Sequence, residues 1–258
     1  VVDSGSASAD DAAGDGDSEW AVDTDTSGSA VVRWAKAYAA GLSFVFIKRP
    51  LLGVLAVIMA GFKFADAAND LVMTRLVQRE YSMGKSNSGL GLGLSFVAVS
   101  IGIVLGPFAM RRIQASVYAQ VLPLDGRLAF MQAGIGLAGI GFFVVALDLH
   151  VAAYMGAMCL VGVGISFMWV QAWTTLQELA IPAIRGRVLS TASSLRLLFG
   201  ALAFYLSSVL VDGEDWSETK VEAVLSALPC GILFLAMVGV RRLALQPEAA
   251  DGSGSGSG

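Results

Sequence analysis

Apolar residues run through this chain in six blocks, each about twenty residues long and each set off by a polar stretch. The blocks cover residues 50–74, 89–110, 128–147, 151–174, 188–211 and 221–240. The hydrocarbon core of a bilayer is about 30 Å thick and takes roughly 20 residues of helix to cross. Lipid offers no partner to a bare backbone, so blocks of this length are predicted as helices. Alternating apolar and polar positions, the mark of a membrane barrel, do not occur. The connections read REYSMGKSNS, RRIQASVYAQVLPLDGR, DLH, the segment around IPAIRGR, and DGEDWSETK. Upstream, VRWAKAYAAGLSFVFI places Trp34, Tyr38, Leu42 and Phe46 at every fourth position, beside Arg33 and Lys36. That spacing predicts an amphipathic interfacial helix over residues 31–49, with a simple extension of the first span as the other reading.

Composition narrows the class. Apolar residues make up 55% of the 258 and charged residues 15%, with a mean hydropathy of +0.69. An average soluble domain carries about 25% charged residues. Eight acids and no base fall within residues 1–30, so the net charge of −4 is concentrated in one segment. These features exclude a soluble globular domain, a nucleic-acid binder and a disordered regulator, and leave an all-α membrane protein. Residues 1–30, rich in Ser, Gly, Ala and Asp, are predicted as a disordered acidic linker, and 243–258, ending GSGSGSG, as a disordered tail. The first segment has neither the basic start nor the apolar run of a secretory signal. A first residue other than Met raises the expectation of a fragment or processed product of a longer chain. Cys159 and Cys230 both sit in apolar blocks and are expected as buried free thiols.

Charge then orients the chain. Eleven Lys and Arg lie on the side of the termini: Arg33, Lys36, Lys48, Arg49, Arg111, Arg112, Arg127, Arg185, Arg187, Arg241 and Arg242. Four lie opposite, Arg75, Arg79, Lys85 and Lys220, next to the acids Asp212, Glu214, Asp215 and Glu218. Cytoplasmic loops carry the excess of basic residues, so both termini are expected in the cytoplasm or its organellar equivalent.

Charges inside the spans are the main candidates for chemistry, because each costs roughly 2.5–3.5 kcal/mol at mid-bilayer. Lys63, Asp66 and Asp70 fall within about 60° of one another at 100° per residue, on a face expected to meet a bundle interior or wet cavity. They are read either as substrate or proton pathway, or as an ion pair that offsets its own insertion. Arg196 stands alone in SSLRLLFGALAF and either lines the same cavity, anchors an anion, or snorkels to the headgroups. Gln132 and Gln171 are expected to hydrogen-bond between helices, with Gln171 also a candidate for the pathway. Trp169, Trp173 and Glu178 are read as belt and cap residues and His150 as interfacial. Gly89 and Gly93, then Ala98, Gly102 and Gly106, are spaced four apart on the second span, and small residues at that spacing let helices approach closely. Gly134-Ile-Gly-Leu-Ala-Gly139 matches a dinucleotide fingerprint but lies mid-span with no strand before it, so it is read as packing. Ser166 near a small-residue run lacks a histidine within the spans, which argues against an intramembrane protease. No spacing of ligands suggests a metal, and no cofactor or enzymatic activity is expected.

Two stretches resemble the major facilitator superfamily, and within it the drug and siderophore exporter branch. TTLQELAIPAIRGRVLSTASS is similar to that branch's loop between the tenth and eleventh helices, through Thr175-Leu176-Gln177, Pro182, Arg185-Gly186-Arg187-Val188 and Ser190. GLSFVFIKRPLL resembles its approach to the seventh helix. The resemblance implies a six-helix lobe over residues 50–242, the C-terminal half of a twelve-helix transporter. It further implies a cytoplasmic gate at Gln177, Arg185 and Arg187. GPFAMRRIQ departs from the family's gating-loop pattern, and the first six helices of such a transporter are not in this sequence.

The expected function is secondary transport, as proton-coupled efflux of a small organic solute by alternating access. Its partners would be membrane lipid, the solute, and an N-terminal half or second copy. The alternative is a transport-inactive six-helix scaffold that binds other membrane proteins or lipid.

Overall fold

A computed structural model of the chain describes residues 29–48, 50–79, 88–117, 123–147, 150–213 and 216–245. The acidic segment, apart from its last two residues, and the tail beyond residue 245 lie outside these. Among the described residues the structure is helical, with no strand. A first helix, α1 (Ala30–Ser43), runs through a π-helical turn (Phe44–Lys48) toward α2 (Pro50–Arg79). Pro50 stands at the first position of α2, where its missing N–H leaves no bond unmade. There follow α3 (Ser88–Val117), α4 (Leu124–Ala146), α5 (Val151–Leu179) and α6 (Arg185–Gly213). A last helix is built from α7 (Glu218–Glu222), a π-helical stretch (Ala223–Ala227) and α8 (Leu228–Leu245). Pro229 has no N–H to give to the carbonyl four residues back, and the widened turn just before it takes up that break.

Six segments are long and apolar enough to cross a membrane: Pro50–Val77, Gly89–Ala115, Leu124–Ala146, Val151–Leu179, Arg185–Asp212 and Glu218–Arg242. They are the six spans expected from the apolar blocks, extended into the polar flanks at most ends. Polar side chains do not stop a helix once its backbone is paired; α5 ends only where Ile181-Pro182 forbids continuation.

The packing has a regular plan. Take α2, α3 and α4 as one triplet, and α5, α6 and α7–α8 as another. The middle helix of each leans on the first helix of the other: α3 on α5, and α6 on α2. The two third helices, α4 and α8, pack against each other. The core lies among α2, α4 and α5, where Leu55, Met59, Phe62, Leu128, Met131, Ile135 and Met168 are fully enclosed. Phe44 and Val45, in the turn after α1, join that core.

Lipid tails are as apolar as leucine, so what draws such helices together is close packing at small residues. A Cβ on Gly102 of α3 would collide with the Cys159 carbonyl of α5, and one on Gly162 with the Val99 carbonyl. Across α4 and α5, a Cβ on Gly134 would lie 2.6 Å from the Gly164 carbonyl oxygen. The dinucleotide-like glycine run is therefore a packing surface. The expected glycine face on α3 needs one correction. Ala98, Gly102 and Gly106 make the contact, whereas Gly89 and Gly93 have nothing within 4 Å. Gly93 lies nine residues, or about 180° of helix rotation, from Gly102, and so sits exposed on the face of α3 turned away from α5.

Candidate functional site

The centre of α2 carries Lys63, Asp66, Asn69 and Asp70 on one face, and the structure gathers three of them into a single cluster. Lys63 Nζ lies 2.5 Å from Asp66 Oδ2 and 3.7 Å from Asp70 Oδ2. Two neighbouring elements close around it. From α6, Gly200 leaves space for the lysine stem, whose Cγ would lie 3.7 Å from a Cβ there. From α7, Glu222 is completely buried, close enough to feel the charges of Asp66 and Asp70. Its Oε2 accepts the Ser226 hydroxyl at 3.2 Å, and its Oε1 has no hydrogen-bond partner. Asn69, 2% exposed, likewise has an unpartnered Oδ1. Two carboxyl groups thus share one ammonium group inside the spans, with a third carboxyl group, Glu222, buried near them. Ionisable residues in such segments are rare and mark substrate, ion or proton pathways by default.

Arg196 is placed one turn of α6 before Gly200. Its guanidinium carbon lies 5.0 Å from the ring centre of Trp169, on α5. Trp169 meets Phe62 of α2 edge-on at 6.2 Å and stacks on Trp173 at 6.5 Å. Beyond the expected belt role, Trp169 is half-buried and packs against Phe62 of α2 and Arg196 of α6. The spacing that put it near the end of its span could not show which way it faces. Arg196 makes no hydrogen bond or ion pair among the described residues, and its Nε is buried without a partner. A cation–π contact is worth about 0.5–2 kcal/mol, against the roughly 2.5–3.5 kcal/mol needed to hold a charged arginine at mid-span. The aromatic contact offsets only part of that cost.

The remaining expected residues lie apart from this cluster. Gln171 donates its amide to Met110 Sδ at 2.9 Å, joining α5 to α3 rather than to the charged face of α2. Gln132 accepts from Arg241 Nη1 at 3.2 Å, tying α4 to α8 as an interhelical bond. Gln177 and Arg185 are exposed at the turn between α5 and α6, and Arg187 is half-buried in the first turn of α6. There α1 lies against it: a Cβ on Gly41 would be 3.5 Å from Arg187 Cβ and 3.1 Å from Thr191 Oγ1. His150 is exposed at the N-cap of α5, Glu178 pairs with Arg127 of α4, Cys230 is buried, and Cys159 is half-buried. In the upstream stripe, Tyr38 and Leu42 are half-buried and Phe46 exposed, and the Trp34 side chain lies outside the described residues. An apolar groove of about 800 Å³ opens between α4 and α8, with Cys230 its only reactive side chain.

Sequence reasoning missed Glu222. The signal was available, since this acid lies inside the last apolar block and invites the same question as Lys63. It also missed three ion pairs near the helix ends. Arg75 holds Asp212 (α2 to α6), Arg127 holds Glu178 (α4 to α5), and Arg241 holds Asp125 at 2.9 Å (α8 to α4). Nothing in a single sequence pairs residues so far apart.

Comparison of the chain with protein-family models, with curated proteins and with solved structures finds no match.

Proposed function

We propose that this chain is one lobe of a secondary active transporter of the major-facilitator type, which moves a small organic solute by alternating access. The coupling would be to protons and the direction efflux, with both termini cytoplasmic. The lobe would work against an N-terminal half or a second copy of itself. One observation carries the reading: Lys63, Asp66, Asp70 and Glu222 come together within the spans from two separate helices. A buried carboxyl group with an unpaired oxygen is the kind of group that exchanges protons as its exposure alternates. The exchanged packing of the two triplets adds support. Three spans per triplet give the two triplets opposite directions through the bilayer, and inverted repeats of this kind place ion and substrate sites near the midplane. The arginines of the α5–α6 turn suit a gate whose contacts change between access states.

The test is flux into proteoliposomes of the full chain, alone and with candidate partner halves, across a panel of small organic solutes under an imposed pH gradient. Gradient-driven flux should appear for some solute and fall at least tenfold in Asp66→Asn and in Lys63→Ala. Coupled flux untouched by both substitutions refutes this role for the cluster.

A further inference from the structure

Of the two cations set well away from the span ends, one is held by carboxylates and the other is not. Lys63 is held by Asp66 and Asp70. Arg196 has no carboxylate partner among the described residues and rests on Trp169 alone. Its depth can be read from the two helices. Arg196 is eleven residues from the start of α6, and Trp169 is ten from the end of α5, the two ends that meet at the Pro182 turn. At 1.5 Å per residue both lie about 15 Å from that turn. A guanidinium group reaching for the headgroups would lie well toward the turn from its own Cα. This one lies over the indole of Trp169, a residue at about the same depth. Arg196 itself is half-buried, and of its guanidinium nitrogens only Nε is enclosed without a partner.

We propose that Arg196, with Trp169 and Trp173 behind it, is the subsite that receives the oxyanion of a planar organic acid, such as an aromatic carboxylate or sulfonate. This rests on the transporter reading above and names its substrate class. The planar guanidinium fork suits two-pronged capture of an oxyanion, and neither terminal nitrogen is in use among the described residues. The half-buried Trp169–Trp173 stack offers an aromatic wall for the ring of the ligand. One turn away, the Lys63 stem lies beside Gly200 and its ammonium group is already held by Asp66 and Asp70, which leaves Arg196 as the anchor for an anion. The phosphate of an anionic lipid has the same chemistry as such an acid, so the test must separate the two sources.

Binding, which needs no turnover, is the readout. The full chain in nanodiscs of zwitterionic phosphatidylcholine is titrated with radiolabelled 2-naphthoate, neutral 2-naphthamide and cationic 2-naphthylmethylamine. Naphthoate should bind at least tenfold tighter than the other two. Arg196→Gln should abolish that preference, Arg196→Lys should retain part of it, and Trp169→Leu should weaken naphthoate severalfold. Nanodiscs containing phosphatidylglycerol should leave the affinity unchanged. A naphthoate affinity that falls fivefold or more in anionic lipid assigns Arg196 to a headgroup, and overturns the proposal. So does a wild-type protein that binds all three probes alike, or none, which needs no variant to interpret. Selective binding without flux in any solute would keep this inference and remove the transporter reading; flux without selective binding would do the reverse.

Discussion

Arg75 grips Asp212 with both terminal nitrogens, at 2.7 and 2.9 Å, and so joins the last turns of α2 and α6. Ser208, one turn back on α6, donates to the same carboxylate at 3.0 Å. The pair closes the end of the two helices that flank the charged cluster. It is well exposed, and exposed pairs contribute little because solvent screens them. The expected result is modest. Asp212→Arg should lower the melting temperature in detergent slightly, and the swap Arg75→Asp/Asp212→Arg should recover most of that loss. A swap no more stable than the single reversal means the two groups do not depend on each other.

Lys63 and Asp66 are a different case, since their side chains are 27% and 13% exposed within a span. Removing one member of an enclosed pair leaves an uncompensated charge, at a cost of about 3 kcal/mol, less some screening by their residual exposure. Lys63→Ala should therefore be more destabilising than Lys63→Ala/Asp66→Asn, although the second variant loses more groups. Melting temperatures of the two singles and the double, read as a double-mutant cycle, measure the coupling. Additive losses would mean that each residue interacts elsewhere.

Glu222→Gln separates folding from coupling. The substitution keeps the volume of a fully buried side chain, and an amide oxygen accepts the Ser226 hydroxyl as a carboxylate does. The variant should melt within a few degrees of the wild type. Proton uptake, followed with a pH-sensitive dye trapped in proteoliposomes, should drop at least tenfold. Normal proton uptake in a folded Glu222→Gln protein would remove Glu222 from the coupling path.

How much of this was legible beforehand follows from the range of each signal. The six spans were, because twenty apolar residues and a polar break are local facts. The shared face of Lys63, Asp66 and Asp70 was as well, since a 3.6-residue period fixes it without any neighbour. The other half of the cluster was not gathered. Glu222 is more than 150 positions from Asp66, and only the approach of α7 to α2 makes them one site. Trp169 shows the same limit at shorter range. Its place in the span was evident, but its direction depends on Phe62 and Arg196 from other helices. Gly89 and Gly93 share the four-residue spacing, but the five-residue step to Ala98 turns them onto the exposed face of α3.

The two faces of α3 supply a matched pair of substitutions on one helix. At Gly102, α3 and α5 are in contact through their backbones, and an added methyl group would collide with the Cys159 carbonyl, which cannot move aside as a flexible side chain would. Overpacking of this kind costs about 1–3 kcal/mol, so Gly102→Ala should lower the melting temperature clearly. At Gly93 an added methyl group meets nothing within 4 Å. There alanine should be neutral or stabilising, by up to about 1 kcal/mol, because it narrows the freedom of the unfolded chain without strain. Both changes add the same atom to the same helix, so opposite signs would locate the tight crossing at Gly102. Equal losses at the two positions would mean that a neighbour covers the Gly93 face of α3, contrary to this structure.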